Sequence, residues 1–320
     1  MQKGDIKLDT FVDFFCGIGG FRIPMEKRGL QCVFSCDYDS DAMFVYSQNF
    51  YDIPTSDIRS IEAHDVPDHD VFCAGFPCQS FSIAGKKLGE EDRRGKLFYD
   101  ILRIVRVKKP KIILLENVPH IKKIDNSKTF IDIYKSLSHA GYRFFYSTLS
   151  AHNFGVPTIR KRVYFVCIRN DLLLYYKEPK PIKERVYLED VLEDDSMLDD
   201  YLFIKNQQII INRDEPEKTV NKSFRVGLVG GKTYSQGARI YSPKGFAVTL
   251  TAHGGGMGAK TGLYLINGKV RRLSLTECKR IMSFPDEHIV SSGHRGWQQL
   301  GNAIIPKMVG IVFDSIVPIP

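Results

Sequence analysis

Residues 10–20, Thr-Phe-Val-Asp-Phe-Phe-Cys-Gly-Ile-Gly-Gly, place an apolar run directly before a glycine-rich turn. Residues 10–14 have the length and the aromatic and β-branched content of a buried strand. A helical pattern over residues 21–28 follows the turn and ends at Gly29. A strand, a glycine turn and a helix in this order predict the first unit of an α/β sheet.

Apolar runs alternate with helical patterns through the first half of the chain. Strands are predicted at residues 31–36, 71–74, 111–115, 143–149 and 163–168, and helices at 40–49, 97–107 and 128–139. This alternation predicts an α/β fold with a doubly wound, mostly parallel sheet. After about residue 185 the pattern changes to short strands and a glycine-dense region, residues 227–268, which predict a smaller domain rich in β-structure and loops. Helices return at 274–282, where Ser274 and Glu277 match a capping box, and near Pro306.

Composition excludes several classes of protein. The chain has 320 residues, of which 43% are hydrophobic and 26% are charged, as in an ordinary globular protein. No apolar stretch approaches the roughly 20 residues that span a membrane, and the amino terminus lacks a secretion signal, so we expect a cytoplasmic protein with no membrane partner. The seven cysteines and eight histidines show no metal-binding spacing, so no metal is expected. A net charge of +8 weakly favours a polyanionic partner, although many cytoplasmic enzymes carry a similar charge.

Residues 75–82, Gly-Phe-Pro-Cys-Gln-Ser-Phe-Ser, place Cys78 just after a predicted buried strand. The turn at Gly75 and Pro77 would present its thiol at the end of the sheet, where open α/β sheets bind ligands. A thiolate is a strong nucleophile near neutral pH. On its own, Cys78 fits a buried core cysteine equally well.

The glycine turn at residues 17–20 predicts a close backbone approach to a ligand. Its spacing differs from the G-x-G-x-x-G of nicotinamide enzymes. Asp37 ends the second predicted strand, where an acidic residue commonly binds ribose hydroxyls, and Tyr38 could pack on an adenine ring. Asp57 could accept a hydrogen bond from the adenine amino group. Each of these residues has a structural alternative: a helix cap for Asp37, an ordinary surface ring for Tyr38 and a turn cap for Asp57. Taken together, the three residues and the glycine turn favour an adenosine-containing cofactor without pyrophosphate.

This combination of motifs resembles the cytosine-5 DNA methyltransferases, in the same order through nearly the whole chain. The matching segments are DFFCGIGG at 13–20, GFPCQSFS at 75–82, Glu116-Asn117-Val118, Arg160-Lys161-Arg162, RLSLTEC at 272–278 and Gly301-Asn302. The length is similar to that of the compact bacterial members that accompany restriction systems. The resemblance implies an S-adenosylmethionine-dependent fold and methylation of carbon-5 of a cytosine in duplex DNA.

The resemblance also implies a chemical role for four side chains. Cys78 would attack carbon-6 of the cytosine, because carbon-5 is too weak a nucleophile to accept a methyl group directly. Glu116 would hold or protonate ring nitrogen 3 and stabilise the negative charge that develops. Arg162 would bind the carbonyl oxygen of the base, with Arg160 close to the same pocket. Structural alternatives are a helix cap or an ion pair for Glu116 and ion pairs for the arginines.

In the terms of this family, residues 1–188 and 302–320 are expected to form the catalytic and cofactor-binding domain. Residues 189–273 would form the target-recognition domain, and residues 274–301 a hinge region. The cofactor is S-adenosyl-L-methionine, with S-adenosylhomocysteine as product. The residues implied in its binding are Phe15, Gly17, Gly19, Gly20, Asp37, Tyr38, Asp57, Ile58, Pro77, Leu97 and Asn302.

The target carbon is inaccessible in a stacked duplex, so the base must be flipped out. The polar, basic loop at residues 80–95 predicts a lid that closes over DNA phosphates. The segments 234–242 and 247–256 resemble those of members that methylate the inner cytosine of GCGC, the leading prediction for the target. Arg239 would contact a guanine and Gln236 would fill the space of the flipped base, unless both are loop scaffolding. The residues implied in DNA binding are Gln79, Ser82, Lys86, Arg94, Gln236, Arg239, Thr249 and Gly255.

Three rival functions were weighed. A tRNA cytosine methyltransferase of the same fold is the nearest alternative, and the long glycine-rich segment favours DNA over it. A catalytically silent relative would tend to lose Cys78 or Glu116, and a dehydrogenase would need another glycine spacing. Departures from the family pattern are Cys16, Ala84, Thr158 and Ala303. We expect a monomeric bacterial, cytoplasmic, DNA-associated enzyme that protects host DNA from a cognate restriction endonuclease, although the existence of that endonuclease is left open.

Overall fold

The computed structural model describes residues 2–3, 6–77, 97–205, 207–230, 236–253 and 256–319. The strands are β1 (Gln2–Lys3), β2 (Ile6–Lys7), β3 (Thr10–Phe14), β4 (Gln31–Cys36), β5 (Val71–Ala74), β6 (Ile112–Asn117), β7 (Tyr142–Ser150), β8 (Lys161–Arg169), β9 (Leu174–Tyr176), β10 (Ile209–Ile211), β11 (Phe224–Val229), β12 (Arg239–Ser242), β13 (Leu263–Ile266), β14 (Lys269–Arg271) and β15 (Ile316–Pro318). The α-helices are α1 (Arg22–Glu26), α2 (Ser40–Phe50), α3 (Leu97–Lys108), α4 (Lys128–His139), α5 (Leu275–Ile281), α6 (Gly293–Asn302) and α7 (Pro306–Asp314).

The chain divides into two compact units. The first unit comprises Met1–Leu149, Lys161–Lys180 and Pro306–Pro320, and the second comprises Ser150–Arg160 and Pro181–Ile305. Within the described ranges, no helix combines the length and the apolar character needed to cross a membrane.

The central sheet lies in the first unit. Its described strands run in the order β4-β3-β5-β6-β8-β7. β4, β3, β5 and β6 pair in parallel, whereas β8 pairs antiparallel with β6. The predicted doubly wound, mostly parallel sheet is confirmed. Because the chain goes from β3 to β4 on one side and to β5 on the other, the carboxyl end of β3 lies at a topological switch point.

The core of the first unit is built from strands that are buried on both faces. Every residue of β5 and β6 is buried, as expected where helices cover both sides of a parallel sheet. The rings of Phe14 and Phe72, on adjacent strands, stack with centroids 4.8 Å apart. α4 buries Thr129, Ile133 and Leu137, which are spaced four residues apart and therefore share one face.

The first helix is shorter than predicted. The pattern indicated residues 21–28, whereas α1 covers Arg22–Glu26. The amides of Arg28 and Gly29 donate to carbonyls three residues back rather than four. The α-helix therefore ends there, and the chain continues in tighter turns. Gly29 then takes a φ of +80°, which reverses the chain toward β4.

The second unit is smaller and has a β-sheet core. Its described strands run in the order β10-β11-β12-β13-β14, and β12 with β13 is the parallel pair. Val226, Ile240 and Leu263 are fully buried in its hydrophobic cluster. At the start of α5, Ser274 and Glu277 form the predicted capping box.

The two units differ from the predicted domain bounds at residues 150–160, 181–188 and 274–305, all of which fall in the second unit. Residues 150–160 belong to the second unit because they pair with its backbone. The amide of Ile159 donates to the carbonyl of Ala247 over 3.0 Å, and the amide of Ala247 donates to Pro157 over 2.9 Å. The segment 274–301, predicted as a hinge, also lies within the second unit.

Candidate active site

The glycine turn follows β3 at the switch point. Phe15, Gly17 and Gly19 all have positive φ values, of +55°, +54° and +92°. A Cβ on Gly19 would lie 2.2 Å from the ring of Phe50, so only glycine fits there. A Cβ on Gly17 would meet no atom within 4 Å, so the turn faces open space at that point. A ligand can therefore approach the backbone closely.

Asp37 lies beside this turn, one residue after β4. Its carboxylate oxygens accept hydrogen bonds from the amides of Gly17, at 2.8 Å, and Asp39, at 2.9 Å. Burial raises the pKa of Asp37, and these hydrogen bonds offset part of that rise. The neighbouring Tyr38 is 74% exposed, which leaves its ring accessible for stacking. The two predicted cofactor residues thus sit side by side at one strand end, as a buried carboxylate and an exposed ring.

The other predicted cofactor residues have more varied positions. The carboxylate of Asp57 pairs with Arg59 and caps a short turn, and this pairing lowers the pKa of Asp57. The adenine amino group would compete with Arg59 for it. Ile58 and Leu97 pack in the core, whereas Pro77 is exposed. Gly20 is buried in the first unit, and Asn302 is exposed at the end of α6 in the second.

Glu116 occupies the carboxyl end of β6 and pairs with Arg162 on β8. The antiparallel register sets Asn117 opposite Val163, which brings Arg162 alongside. The Arg162 Nε lies 2.9 Å from the Glu116 Oε1, and both side chains are largely buried. The predicted base-binding carboxylate and arginine are therefore neighbours in the first unit.

Asn117 connects this strand end to the predicted nucleophile loop, a role that the motif alone did not indicate. Its Nδ2 donates to the carbonyl of Phe76 over 2.8 Å, and its Oδ1 accepts from the amide of Val118 over 2.8 Å. Phe76 precedes Cys78 by two residues. Six predicted site residues lie outside the described residues: Cys78, Gln79, Ser82, Lys86, Arg94 and Gly255.

Arg160 has contacts that differ from its predicted place beside the base. It is 3% exposed and belongs to the second unit. Its guanidinium donates to the carbonyls of Leu250, Gly301 and Ala303 at 3.2, 3.0 and 2.7 Å. The described hydrogen bonds of Arg160 thus go to backbone carbonyls of the second unit, and its place close to the base pocket stays a prediction.

The predicted recognition segments are joined within the second unit. Gly258 donates to the carbonyl of Gly237 over 2.7 Å, and a Cβ on Gly258 would lie 2.9 Å from that oxygen. Arg239 begins β12 and is partly buried, and the hydroxyl of Thr249 donates to the carbonyl of Ile159. Gln236 starts a short helical turn, and its side chain is outside the described part of the chain. Gly255 is also outside the described residues.

The buried pair of Arg271 and Glu277 was missed by sequence reasoning. Its two hydrogen bonds measure 2.8 and 2.7 Å, and both side chains are fully buried. The capping box at Glu277 signalled a helix start but carried no sign of the arginine. In the described part of the chain, no group of three or more His, Cys, Asp or Glu side chains could hold a metal ion.

Comparisons with known proteins agree with the motif order. Residues 10–318 match the model of the family described as C-5 cytosine-specific DNA methylase. The chain is 43% identical to the type II methyltransferase M.HhaI of Haemophilus parahaemolyticus, over 96% of this chain and 93% of that protein. It is 36% identical to the type II methyltransferase M.NgoBI of Neisseria gonorrhoeae, over 86% and 82%. Its fold is similar to the crystal structure of the S. pombe Dnmt2 methyltransferase, with a TM-score of 0.73, 20% identity and coverage of 97% and 98%.

Proposed function

This chain belongs to the C-5 cytosine-specific DNA methylase family, and we propose that its target is the inner cytosine of GCGC in duplex DNA. It is a DNA cytosine-5-methyltransferase that uses S-adenosyl-L-methionine. The observation that carries the proposed chemistry is the Glu116–Arg162 pair next to Asn117, whose side chain holds the chain at Phe76.

The first chemical step is assigned to Cys78. Its thiolate attacks carbon-6 of the flipped cytosine, so a sulfur–carbon bond forms and the electron pair of the carbon-5–carbon-6 double bond becomes available at carbon-5. S-adenosyl-L-methionine supplies the methyl group when it is bound. Loss of the carbon-5 proton then restores the double bond, breaks the sulfur–carbon bond and releases Cys78 as thiolate.

Glu116 and Arg162 act on the electrons that Cys78 displaces. Glu116 would hold or protonate ring nitrogen 3, where negative charge develops. Arg162, 2.9 Å from Glu116, would donate to the carbonyl oxygen of the same ring. Their pairing orients both groups before the base arrives, which reduces the reorganisation needed during the reaction.

The cofactor site fits an adenosine ligand without pyrophosphate. Asp37 offers a buried carboxylate for the ribose hydroxyls, and Tyr38 an exposed ring for the adenine. The open space at Gly17 would take the part of the ligand nearest the turn.

Target choice is assigned to the second unit. Arg239 would donate two hydrogen bonds to a guanine in the major groove, and Gln236 would fill the gap left by the flipped base. The resemblance of segments 234–242 and 247–256 to GCGC-specific members supports this target. A tRNA substrate has less support, because relatives matching nearly the whole chain are type II methyltransferases.

The same relatives support a proposed cellular role. We propose a monomer, since methylation of one strand at a time needs no second copy. We further propose that the enzyme acts in the bacterial cytoplasm, where the DNA is. There it would protect host DNA against a cognate restriction endonuclease.

Methylation of a mixed-sequence duplex, read by bisulfite conversion, tests both the reaction and the target. Conversion-resistant cytosines confined to GCGC are the expected result, with none for Cys78→Ala. Methylation at another motif would overturn the GCGC assignment alone. Transfer to tRNA but not to duplex DNA, in parallel assays, would overturn the DNA assignment.

A further inference from the structure

The backbone near the DNA-recognition segment is held by basic side chains from three places in the second unit. Arg160 donates to the carbonyl of Leu250 over 3.2 Å. Lys260 donates through Nζ to the carbonyl of Ala252. Arg272 donates through Nε to the carbonyl of Met257 over 2.6 Å. These acceptors lie on both sides of residues 254–255.

Lysines and arginines in a DNA-binding unit are ordinarily expected to contact phosphates. Lys260 is only 6% exposed, and Arg160 only 3%. Hydrogen bonds from a charged donor are about twice as strong as neutral ones, which suits them to holding a loop in one conformation.

The backbone at Lys260 supports the same interpretation. Its φ of +74° lies in the left-handed region, where glycine is strongly favoured. Lysine at this position gains the bond to Ala252, and its own carbonyl accepts from the amide of Thr251 over 3.0 Å. The side chain and the backbone of Lys260 therefore both bond to the backbone of the segment, at Ala252 and Thr251.

Arg272 holds two segments at once. Besides Met257, its guanidinium donates to the carbonyl of Tyr201 over 3.2 Å. The amide of the neighbouring Gly258 donates to the carbonyl of Gly237 over 2.7 Å. The position of Met257 therefore also affects Gly237, which belongs to the other predicted recognition segment, residues 234–242. A displacement of the Arg272 side chain would therefore move the backbone at Met257 and, through Gly258, the backbone at Gly237.

We propose that Arg160, Lys260 and Arg272 are positioning residues that preorganise the described parts of the recognition segment, residues 249–253 and 256–258, and supply sequence discrimination without contacting DNA phosphates. This inference rests on the proposed function of that segment. A preformed loop places its base-contacting groups without an ordering cost on binding. A loosened loop would bind cognate and altered sites more equally.

The test compares Lys260→Met and Arg272→Met with Lys218→Met and Arg213→Met. The last two remove one charge each from exposed positions of the same unit. Three quantities are measured: amide hydrogen exchange of residues 249–258 in the free protein, the salt dependence of DNA affinity, and the ratio of kcat/KM between the target duplex and a duplex with one base pair changed.

We expect the Lys260 and Arg272 variants to lose amide protection in 249–258 and to lower the discrimination ratio about 10-fold or more. Their salt slope should stay that of the parent, whereas each lost phosphate contact would reduce it by about 0.9. Arg272→Lys keeps the charge but cannot donate in a fork to two carbonyls, so it should lower discrimination to an intermediate level.

A reduced salt slope, with equal weakening on all sequences and unchanged amide protection, would overturn the proposal. The controls should leave protection and discrimination unchanged. If the parent protein prefers a sequence other than GCGC, the ratio is measured on that sequence. If it methylates no DNA, the proposed function fails, whereas unchanged exchange in both Met variants would still refute the positioning role.

Discussion

Asn117 Nδ2 donates to the carbonyl oxygen of Phe76 over 2.8 Å, which links the strand end carrying Glu116 to the chain two residues before Cys78. The same side chain accepts from Val118 through its oxygen. One amide group therefore fixes the backbone at Phe76, just before the predicted nucleophile, relative to the strand end that carries Glu116. A displacement of about 1 Å in such a site can cost about 100-fold in rate.

Asn117→Asp should lower kcat by about 10-fold or more. The carboxylate can still accept from Val118 but faces the Phe76 carbonyl without a proton to donate, so the loop start would move. The direct measurement is the rate at which Cys78 forms a covalent adduct with DNA that contains 5-fluorocytosine, in which carbon-5 has no proton to lose.

Asn126→Asp makes the same chemical change at an exposed position and should leave the adduct rate unchanged. Affinity for S-adenosylhomocysteine should be the same in both variants. A variant at Asn117 that loses thermal stability but forms the adduct at the parent rate would show that the bond is only structural.

Cofactor affinity should fall as the pH is lowered through the raised pKa of Asp37. Protonation would remove the carboxylate that we propose accepts from the ribose hydroxyls. Folding stability should respond in the opposite direction, because a carboxyl group with a raised pKa in the folded state binds its proton more tightly there, which favours folding at acid pH.

Calorimetric titration with S-adenosylhomocysteine between about pH 8 and about pH 5 measures this effect. Asp37→Asn should bind weakly throughout and lack this pH-dependent component. An equal pH dependence in the parent and in Asp37→Asn would refute the role of this carboxylate.

Gly19→Ala should destabilise the cofactor-free protein more than Gly17→Ala. Both residues have positive φ, but a Cβ at Gly19 would clash with the Phe50 ring, whereas one at Gly17 would meet no atom within 4 Å. Overpacking of this kind costs about 1–3 kcal/mol beyond the backbone effect. Urea unfolding of the two variants gives the comparison.

The clash itself can be relieved by a second substitution. In the Phe50→Leu background, Gly19→Ala should cost less than in the parent, and Gly17→Ala should cost the same in both. If the cost of Gly19→Ala is independent of residue 50, the ring is not the cause.

Local sequence patterns predicted the parts of this protein that depend on neighbouring residues. The parallel strands come from short buried runs, and the cap at Ser274 comes from a side chain that bonds to an amide three residues ahead. Glu116 was identified by the resemblance of Glu116-Asn117-Val118 to a family motif, and the structure places it directly after four buried apolar residues of β6.

Patterns of this kind could not locate contacts between distant segments. Arg160 meets acceptors 90 to 143 residues away, and a backbone carbonyl has no side-chain signature to search for. The bond of Asn117 to Phe76 and the pair of Arg271 with Glu277 are hidden for the same reason. Residues 150–160 fall in the second unit because residues 157–159 pair with Ala247, through two backbone bonds and the hydroxyl of Thr158, whose acceptors are again backbone carbonyls.

His69 should make the protein less stable as the pH falls below about 6.5. Burial lowers the pKa of His69, the nearby Lys108 lowers it further, and its Nδ1 lies 2.8 Å from the carbonyl of Pro67. Its Nε2 is buried with no hydrogen-bond partner among the described residues, so a proton added there would be unsolvated. The unfolded chain therefore takes up a proton at a pH where the folded chain does not, and the free energy of unfolding decreases as the pH falls.

Melting temperatures of the parent and of His69→Asn, measured from about pH 8 to about pH 5, test this sign. Asparagine keeps an N–H that can donate to Pro67 but has no proton to gain, so the variant should lose less stability on acidification. His139→Asn, at an exposed position at the end of α4, should retain the full slope of the parent. If His69→Asn keeps the parent's slope, the acid sensitivity arises from other groups, such as His152, whose pKa is also lowered by burial.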